Sequence, residues 1–329
     1  MSWFGKKVLV TGAGGFIGSH LTEELVKQGA EVRALVRYNS QNSWANLEFL
    51  SSDIKSEIEV LPGEIRDPFF VDRCIDGVST VFHLASLIAI PYSYVAPHSY
   101  IETNVMGTLN VLQAARRYEV EKTIHTSTSE TYGTARYTPM DEQHPLQGQS
   151  PYSASKIGAD KLVESFHRSF ELPVATLRPF NTFGPRQSAR AVIPTIVAQA
   201  LTRDHIELGS LTPVRDLTFV SDTVRGFLKV AEIPEAVGET INIGNGSGVT
   251  ILELAEHVLA TLNLSLPVVA AGERVRPEHS EVFTLICDNG KARRMLDWQP
   301  LVSLDDGLSA VIDWVREHLE AYKTDVYNV

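Results

Sequence analysis

Two groups of residues carry side chains suited to acid–base chemistry. One is the stretch TSTSETYG (126–133), where four successive hydroxyl side chains are followed by a single glutamate. The other is the pattern Y-x-x-x-K, which occurs twice, as Tyr118/Lys122 and as Tyr152/Lys156. A tyrosine beside an ammonium group can act as a general base, because the positive charge favours the phenolate and lowers the tyrosine pKa from about 10.

Only the second tyrosine–lysine pair lies in a context that favours chemistry. Tyr152 and Lys156 open a helical pattern, SPYSASKIGADKLVESF, with Pro151 near its first turn. Residues four apart share one helical face, so the ammonium lies about one turn from the phenol. Tyr118 instead lies where a helix ends, and Lys122 opens the next strand. We therefore predict that Tyr152 is a general base with a lowered pKa and that Lys156 lowers it.

Alternating strands and helices are predicted to position these groups. Short apolar runs predict the strands KKVLV, EVRALV, IEVLP, TVFHLA, KTIHTS and VATLR. Helical patterns between them lie near residues 16–28, 67–76, 98–118 and 151–170. This order predicts an α/β fold, a doubly wound parallel sheet of Rossmann type over residues 1–180, which part of 215–250 rejoins. Residues 181–329, rich in Pro and Gly, are predicted to form a smaller, irregular α/β domain.

The first predicted strand runs directly into a glycine-rich turn, TGAGGFIG, and then into a helix. Its glycines recur at every third residue, which permits a tight turn, close approach of a pyrophosphate and close helix–strand packing. The helix N-terminus adds free N–H groups and partial positive charge. We therefore predict a dinucleotide site at this turn. Its predicted contacts are Gly12, Gly15, Phe16, Ile17 and Gly18.

Composition narrows the class of protein. The chain has 329 residues, 43% hydrophobic and 21% charged, as expected of a globular protein with a core. Its net charge of −11 argues against a nucleic acid or an anionic membrane as partner. The two cysteines, Cys74 and Cys287, are too few for a disulfide framework or a zinc site. No apolar run approaches the roughly 20 residues that cross a bilayer. A cytoplasmic protein without a metal is predicted.

The motifs together resemble a known family. TGxxGFIG near the N-terminus resembles the extended short-chain dehydrogenase/reductases, which act largely on nucleotide sugars. TSTSETYG resembles the strand end of GDP-mannose 4,6-dehydratases, which reads Ser-Thr-Ser-Glu before a tyrosine and a glycine. On this match Thr128 helps Tyr152 to handle the substrate O4, and Glu130 removes the C5 hydrogen before water leaves C6. Ser129 stands where dTDP-glucose dehydratases carry an aspartate, so a dedicated acid is missing there.

The same resemblance covers nearly the whole chain, implies that residues 181–329 form the nucleotide-sugar-binding domain, and implies further contacts. The implied cofactor contacts are Glu64, Ile65, Leu84 and Ala85, beside Tyr152 and Lys156, and the implied substrate contacts are Ser86, Ser129, Asn181, Arg215 and Arg276. The arginines suit a nucleotide diphosphate, because a guanidinium can bind phosphate oxygens through two hydrogen bonds. The family also implies a homodimer in which helices near 98–118 and 151–170 form a four-helix interface.

The choice of cofactor depends on the end of the second strand. Arg37 occupies the region where an NAD enzyme usually offers an acid to the ribose 2′-hydroxyl. An arginine there can pair with a 2′-phosphate, and Ser40 and Asn42 can add neutral donors if the following loop folds back. GDP-mannose dehydratases also have arginine here and use NADP. We therefore predict NADP, with NAD as the alternative, tightly bound and regenerated in every turnover.

Three other functions share parts of these motifs. UDP-glucuronate decarboxylases also carry Ser-Thr-Ser-Glu, and FNTFGPR resembles their phosphate-side segment, but Leu87 stands where their Ala-Ser-Pro turn has its proline. Simple 4-epimerases usually lack the acid found here at Glu130, and non-catalytic NADP sensors on this fold typically lose the tyrosine–lysine pair. The motifs therefore favour a lyase, a nucleotide-sugar 4,6-dehydratase, and leave the base and the sugar of its nucleotide-diphosphate sugar open.

Overall fold

The structure is a computed structural model that describes residues 3–272 and 280–322. Its strands, in chain order, are β1 (Lys7–Thr11), β2 (Glu31–Arg37), β3 (Ile58–Gly63), β4 (Thr80–His83), β5 (Lys122–Thr126), β6 (Val174–Pro179), β7 (Asn181–Phe183), β8 (Ile206–Leu208), β9 (Val214–Arg215), β10 (Leu217–Phe219), β11 (Thr240–Ile243), β12 (Val249–Thr250), β13 (Val268–Ala270) and β14 (Thr284–Leu285).

The central sheet is parallel and has the strand order β11-β6-β5-β4-β1-β2-β3. Every residue of β4 and of β6 is buried, as expected of strands covered on both faces. The strand order reverses beside β1, which pairs with β2 on one side and β4 on the other. Ligands of doubly wound sheets bind in the crevice that opens at such a reversal. The predicted doubly wound α/β fold is therefore confirmed.

Helices cover the sheet and build the rest of the chain. They are α1 (Phe16–Lys27), α2 (Ser52–Ser56), α3 (Pro68–Ile75), α4 (Ile90–Val95), α5 (Pro97–Tyr100), α6 (Gly107–Arg117), α7 (Pro151–Phe170), α8 (Val192–Thr202), α9 (Val220–Glu232), α10 (Ile251–Leu262), α11 (Gly290–Leu296) and α12 (Leu304–Glu317). A π-helical segment, Ile101–Met106, links α5 to α6, so the helix predicted near 98–118 changes its winding along its length. In the described part of the chain, no helix has both the length and the apolar character to cross a membrane.

The second half of the chain forms smaller sheets and a core of its own. Short pairings join β10 to β7, β13 to β8, and β12 and β14 to β9. Helices α8, α10 and α12 bury a separate apolar cluster that includes Ile196, Leu254 and Val311. Strand β11, however, pairs with β6 in the central sheet, and α9 packs against α1 and β6. The chain thus returns to the Rossmann sheet within 215–250, while the exact domain boundary stays a prediction.

Candidate active site

A cavity of about 1230 Å³ opens at the carboxyl ends of the central strands and extends to the second half of the chain. The residues predicted to form a site line it together. They are Gly12, Gly15, Phe16, Ile17, Gly18, Arg37, Glu64, Ile65, Leu84, Ala85, Ser86, Thr128, Ser129, Glu130, Tyr152, Lys156, Asn181 and Arg215. Arg276, the remaining predicted contact, lies outside the described residues. The structure shows that these residues line one cavity, and the role of each stays a prediction.

The glycine turn fits a dinucleotide. Gly12 has φ of +71°, and a Cβ there would lie 2.8 Å from the backbone nitrogen of Ala85. A Cβ on Gly18 would lie 2.2 Å from the carbonyl oxygen of Gly12, so α1 can approach the turn only with glycine at this position. The N-cap of α1 is Gly15, whose lack of a side chain leaves the first N–H groups of the helix facing the cavity. Such an N-terminus favours an anionic phosphate.

The end of β2 and the loop after it line the part of the cavity where the ribose of the dinucleotide is predicted to bind. Arg37 is exposed and lines the cavity, and among the described residues its guanidinium has no hydrogen-bond partner. Asn39 and Ser43 line the cavity, whereas Ser40 and Asn42 do not. The Asn39 side chain folds this loop on itself, since its oxygen accepts hydrogen bonds from the backbone N–H groups of Gln41 and Ser43.

The environment of Tyr152 differs from the sequence-based prediction in one respect. Tyr152 is 7% exposed, its phenol is hydrogen-bonded to Thr128, and its ring packs edge-on against Tyr100 at 6.2 Å. Burial raises the pKa of Tyr152 above its ordinary value, and the nearby charge of Glu130 raises it further, although the Thr128 hydrogen bond lowers it. The predicted lowering of this pKa is wrong for the protein alone, because loss of water around the phenol outweighs the other effects.

Lys156 is held against the strand that leads to the hydroxyl stretch. Its Nζ donates a hydrogen bond of 2.6 Å to the carbonyl oxygen of Thr126, the last residue of β5. Burial lowers the pKa of Lys156 to about 8, while the carboxylate of Asp160 opposes that shift. The ammonium is therefore largely charged at neutral pH and becomes neutral as the pH rises through about 8.

The other tyrosine–lysine pair is divided between two unrelated contacts. Tyr118 donates a hydrogen bond of 2.9 Å to Asp72, and Lys122 donates to the carbonyl oxygen of Ile233. Neither residue lines the cavity. The choice between the two pairs made from helical context agrees with this geometry.

Glu130 lies in a short 3₁₀ turn, Ser129–Tyr132, that follows β5 directly. The side chain of Thr128 caps this turn by accepting a hydrogen bond of 3.3 Å from the Glu130 N–H. Glu130 is half-buried and lines the cavity beside Ser129 and Tyr152. The stretch TSTSETYG thus brings the hydroxyl residues Thr128 and Ser129 and the carboxylate of Glu130 to the same cavity. Together with Tyr152, the cavity holds two groups able to move protons.

The second half of the chain contributes polar groups at the other end of the cavity. Arg215 is 7% exposed and lies 3.2 Å from the carboxylate of Glu281. The side-chain oxygen of Asn181 is buried without a hydrogen-bond partner in the described residues. A buried polar group without a partner is costly, so this position suits contact with a ligand. Both residues line the cavity, and their contact with the diphosphate stays a prediction.

Several lining residues were not predicted from the sequence. Glu281, Tyr92 and the exposed Arg190 face the cavity from three separate segments. Their sequence neighbourhoods carry no motif, so only the packed fold brings them there. Asp160 was also missed, although its position four residues after Lys156, on the same face of α7, is a signal that helical spacing offers.

Comparisons with known proteins agree over nearly the whole chain. The family model of GDP-mannose 4,6-dehydratase matches residues 9–311. A dTDP-glucose 4,6-dehydratase of Xanthomonas campestris is 32% identical over 330 residues, spanning 93% of this chain and 92% of the relative. A putative UDP-glucose 4-epimerase of Methanocaldococcus jannaschii is 28% identical, spanning 94% of this chain and 99% of the relative.

The solved structures that resemble this chain also include a 4,6-dehydratase and a 4-epimerase. DesIV, a dTDP-glucose 4,6-dehydratase of Streptomyces venezuelae solved with NAD bound, has a TM-score of 0.87 at 31% identity, covering 96% of this chain and 99% of that one. The UDP-glucuronic acid 4-epimerase of Bacillus cereus, in complex with UDP-glucuronic acid and NAD, has a TM-score of 0.86 at 28% identity, covering 95% of this chain and 99% of that one.

Proposed function

This chain belongs to the GDP-mannose 4,6-dehydratase family, and we propose that it is a lyase that converts a nucleotide-diphosphate sugar into its 4-keto-6-deoxy form with loss of water. The proposal rests on Glu130, which lines the same cavity as Thr128 and Tyr152 and whose charge acts on the Tyr152 phenol. Elimination across C5 and C6 needs a base at C5 in addition to the base at O4. Epimerisation at C4 needs only the base at O4.

Each step of the proposed dehydration is assigned to residues that line the cavity. The glycine turn, Gly12 to Gly18, would hold a nicotinamide dinucleotide, which when bound would supply a hydride acceptor for C4 and a hydride donor for C6. Tyr152, hydrogen-bonded to Thr128, takes the proton of O4. Lys156 lies one helical turn along α7, and its ammonium would favour the phenolate that this step requires. The 4-keto group then acidifies C5–H. Glu130 removes that proton and gives a proton to the C6 hydroxyl, because Ser129 offers no acid, so the C6–O bond breaks, water leaves and a C5=C6 double bond forms. Addition of hydride at C6 is then balanced by a proton from water at C5.

Binding of the substrate is assigned to the far end of the cavity. Arg215 and Asn181 are proposed to hold the diphosphate, since a guanidinium offers paired donors to phosphate oxygens and an amide adds another. With the diphosphate there, the sugar extends toward Thr128, Glu130 and Tyr152. Glu281, beside Arg215, fixes the guanidinium in place before the ligand arrives.

The function is tested by incubating the purified protein with UDP-, GDP-, CDP- and dTDP-hexoses and weighing the products. We expect one nucleotide sugar to lose the mass of one water. A product of unchanged mass would indicate a 4-epimerase, and loss of carbon dioxide from a uronic acid would indicate a decarboxylase. Either result in place of dehydration would overturn the proposal.

We further propose that the bound dinucleotide is NADP. Support comes from Arg37, which ends β2, is exposed toward the cavity and has no hydrogen-bond partner in the described residues. A 2′-phosphate would be attracted by this guanidinium, whereas it would be repelled by the acid that NAD enzymes usually carry. The solved relatives named above hold NAD, which makes NAD the alternative.

The Arg37→Ala variant is expected to lose about 10- to 100-fold in NADP affinity, because a charge-assisted hydrogen bond contributes about 1.5–3 kcal/mol. Its NAD affinity should stay unchanged. Arg33→Ala is the matched control, since Arg33 lies on the same strand but pairs with Glu59. The nucleotide released on denaturing the purified protein should be NADP. Release of NAD alone, with equal NADP affinities in both variants, would reject this assignment.

We also infer a homodimer through the face of α6 and α7. The π-helical segment before α6 exposes Ile101 (48%) and Met106 (46%), and this segment packs beside α7. Large exposed apolar side chains grouped on one helical face are typical of an interface.

A further inference from the structure

A buried ion pair lies directly beneath the residues assigned to catalysis. Asp160, on α7, is 7% exposed, and Arg178, on β6, is 3% exposed. Nη2 of the arginine lies 2.8 Å from Oδ2 of the aspartate. Removing two charges from water costs more free energy than their attraction returns unless further hydrogen bonds satisfy both groups. The other hydrogen-bond partners of Asp160 and Arg178 therefore indicate the role of this ion pair.

The first partner is Ser127, whose hydroxyl donates to the Asp160 carboxylate at 2.6 Å and accepts from Arg178 Nε at 3.2 Å. Ser127 stands between two residues of the site. Thr126 holds the Lys156 ammonium through its carbonyl oxygen, and Thr128 is hydrogen-bonded to the catalytic tyrosine. The ion pair thus fixes the start of the segment 126–132.

The second partner is Tyr132, which ends the 3₁₀ turn that carries Glu130. Nη1 of Arg178 donates to the Tyr132 hydroxyl at 2.7 Å, and the guanidinium lies 4.7 Å from the centre of the tyrosine ring. That hydroxyl in turn donates to Asn242 at 2.8 Å. Tyr132 is fully buried, so its hydroxyl has a fixed position. One guanidinium therefore holds both ends of the segment 126–132.

The charges around Lys156 come from several elements. Its own helix supplies Asp160 and the phenol of Tyr152, and β6 supplies the guanidinium of the buried ion pair. Two buried histidines, His83 on β4 and His125 on β5, also lie near it, and burial lowers the pKa of each. His125 is in addition hydrogen-bonded to Asp160, with 3.1 Å between Nε2 and Oδ1. Asp160 carries the negative charge that opposes deprotonation of the ammonium.

We propose that the ion pair of Asp160 and Arg178 is a positioning device for the segment 126–132. It aligns Thr128 and Glu130 on one substrate, and its carboxylate keeps the neighbouring lysine charged. Neither side chain lines the cavity, so neither is assigned contact with the substrate. The alignment of two catalytic groups rests on the proposed dehydratase function, whereas the effect on the lysine does not.

The first test needs no substrate. Carbon-13-labelled lysine in the full-length protein, with its nucleotide bound, allows the Lys156 amine to be titrated by NMR, with its signal assigned by Lys156→Met. Asp160→Asn keeps the shape of the side chain but removes its charge, and we expect the Lys156 pKa to fall by about one unit or more. Asp222→Asn is the matched control, because Asp222 is fully buried but binds the N–H groups of Leu301 and Val302.

The second test uses Tyr132→Phe, which removes one hydroxyl and keeps both charges, so this variant should fold even if Asp160→Asn fails to fold. Misplacement of the turn should slow exchange of the C5 hydrogen with deuterated water by about 10- to 100-fold, since small displacements of reacting groups have effects of this size. Reduction of the bound nucleotide by the sugar should change by no more than about twofold. A merely structural role would lower both rates equally.

The outcomes separate the two proposals. If the unaltered protein dehydrates none of the nucleotide sugars, the proposed function fails, and the Lys156 titration alone decides the positioning device. If dehydration occurs, a wild-type Lys156 titration in Asp160→Asn together with equal losses of both rates in Tyr132→Phe would overturn the device. A lowered Lys156 pKa with selective loss of C5 exchange would support it.

Discussion

Replacement of Tyr152 by phenylalanine is expected to abolish oxidation of the sugar at C4. The change removes the one hydroxyl that both lines the cavity beside Thr128 and lies a helical turn from Lys156. Loss of a general base lowers rates by about 10²–10⁴-fold. The measurement is the near-ultraviolet absorbance of reduced nicotinamide after the protein is mixed with its nucleotide sugar, alongside turnover.

Tyr118→Phe is the matched control, because it alters the other Y-x-x-x-K pair. It removes a hydrogen bond of 2.9 Å to Asp72 on the surface side of α3 and α6, away from the cavity. Such a bond contributes about 0.5–1.5 kcal/mol to stability, so turnover should stay near that of the unaltered protein. Equal loss of activity in the two variants would show that Tyr152 is not the base.

The Glu130→Gln variant is expected to stop the reaction after C4 oxidation. Glutamine keeps the size of the side chain and its place in the turn Ser129–Tyr132, but it cannot take a proton from C5. Exchange of the C5 hydrogen with deuterated water should fall by about 10²–10⁴-fold. The absorbance of reduced nicotinamide should still rise, because Thr128 and Tyr152 are unchanged.

That internal comparison distinguishes a lost base from a damaged site. If oxidation at C4 falls as far as exchange at C5, the variant has disturbed the Tyr152 phenol, on which the charge of Glu130 acts. If C5 exchange continues at the rate of the unaltered protein, Glu130 has no role in elimination. In that case another group in the cavity removes the C5 hydrogen.

Features set by local sequence could be predicted. The glycine turn, the strands before and after it, and the helix that begins at Pro151 depend on residue types and spacing within short segments. The choice between two Y-x-x-x-K pairs also followed from local context, since one pair shares a helical face and the other does not. The parallel sheet then brings the ends of separate strands to one edge, which explains why so many predicted residues meet at one cavity.

Features set by burial could not be predicted. The pKa of Tyr152 is raised because the folded chain removes water from its phenol, and sequence spacing conveys only its distance from Lys156. Arg178 lies within a strand whose six residues are all buried, so nothing in VATLRP indicates that its guanidinium reaches Asp160 and Tyr132. The conformation of the loop after Arg37 likewise depends on hydrogen bonds that Asn39 accepts from backbone N–H groups of the same loop.

The proposed reaction is tested most directly by the fate of the hydrogen at C4. A nucleotide sugar that the protein accepts is prepared with deuterium at C4, and the product is examined by mass spectrometry and NMR. The proposed mechanism predicts a product lighter by one water, with a keto group at C4 and the deuterium on C6 of the same molecule. A product that keeps its full mass with deuterium still at C4, or one that has lost carbon dioxide, would contradict assignment of this chain as a 4,6-dehydratase.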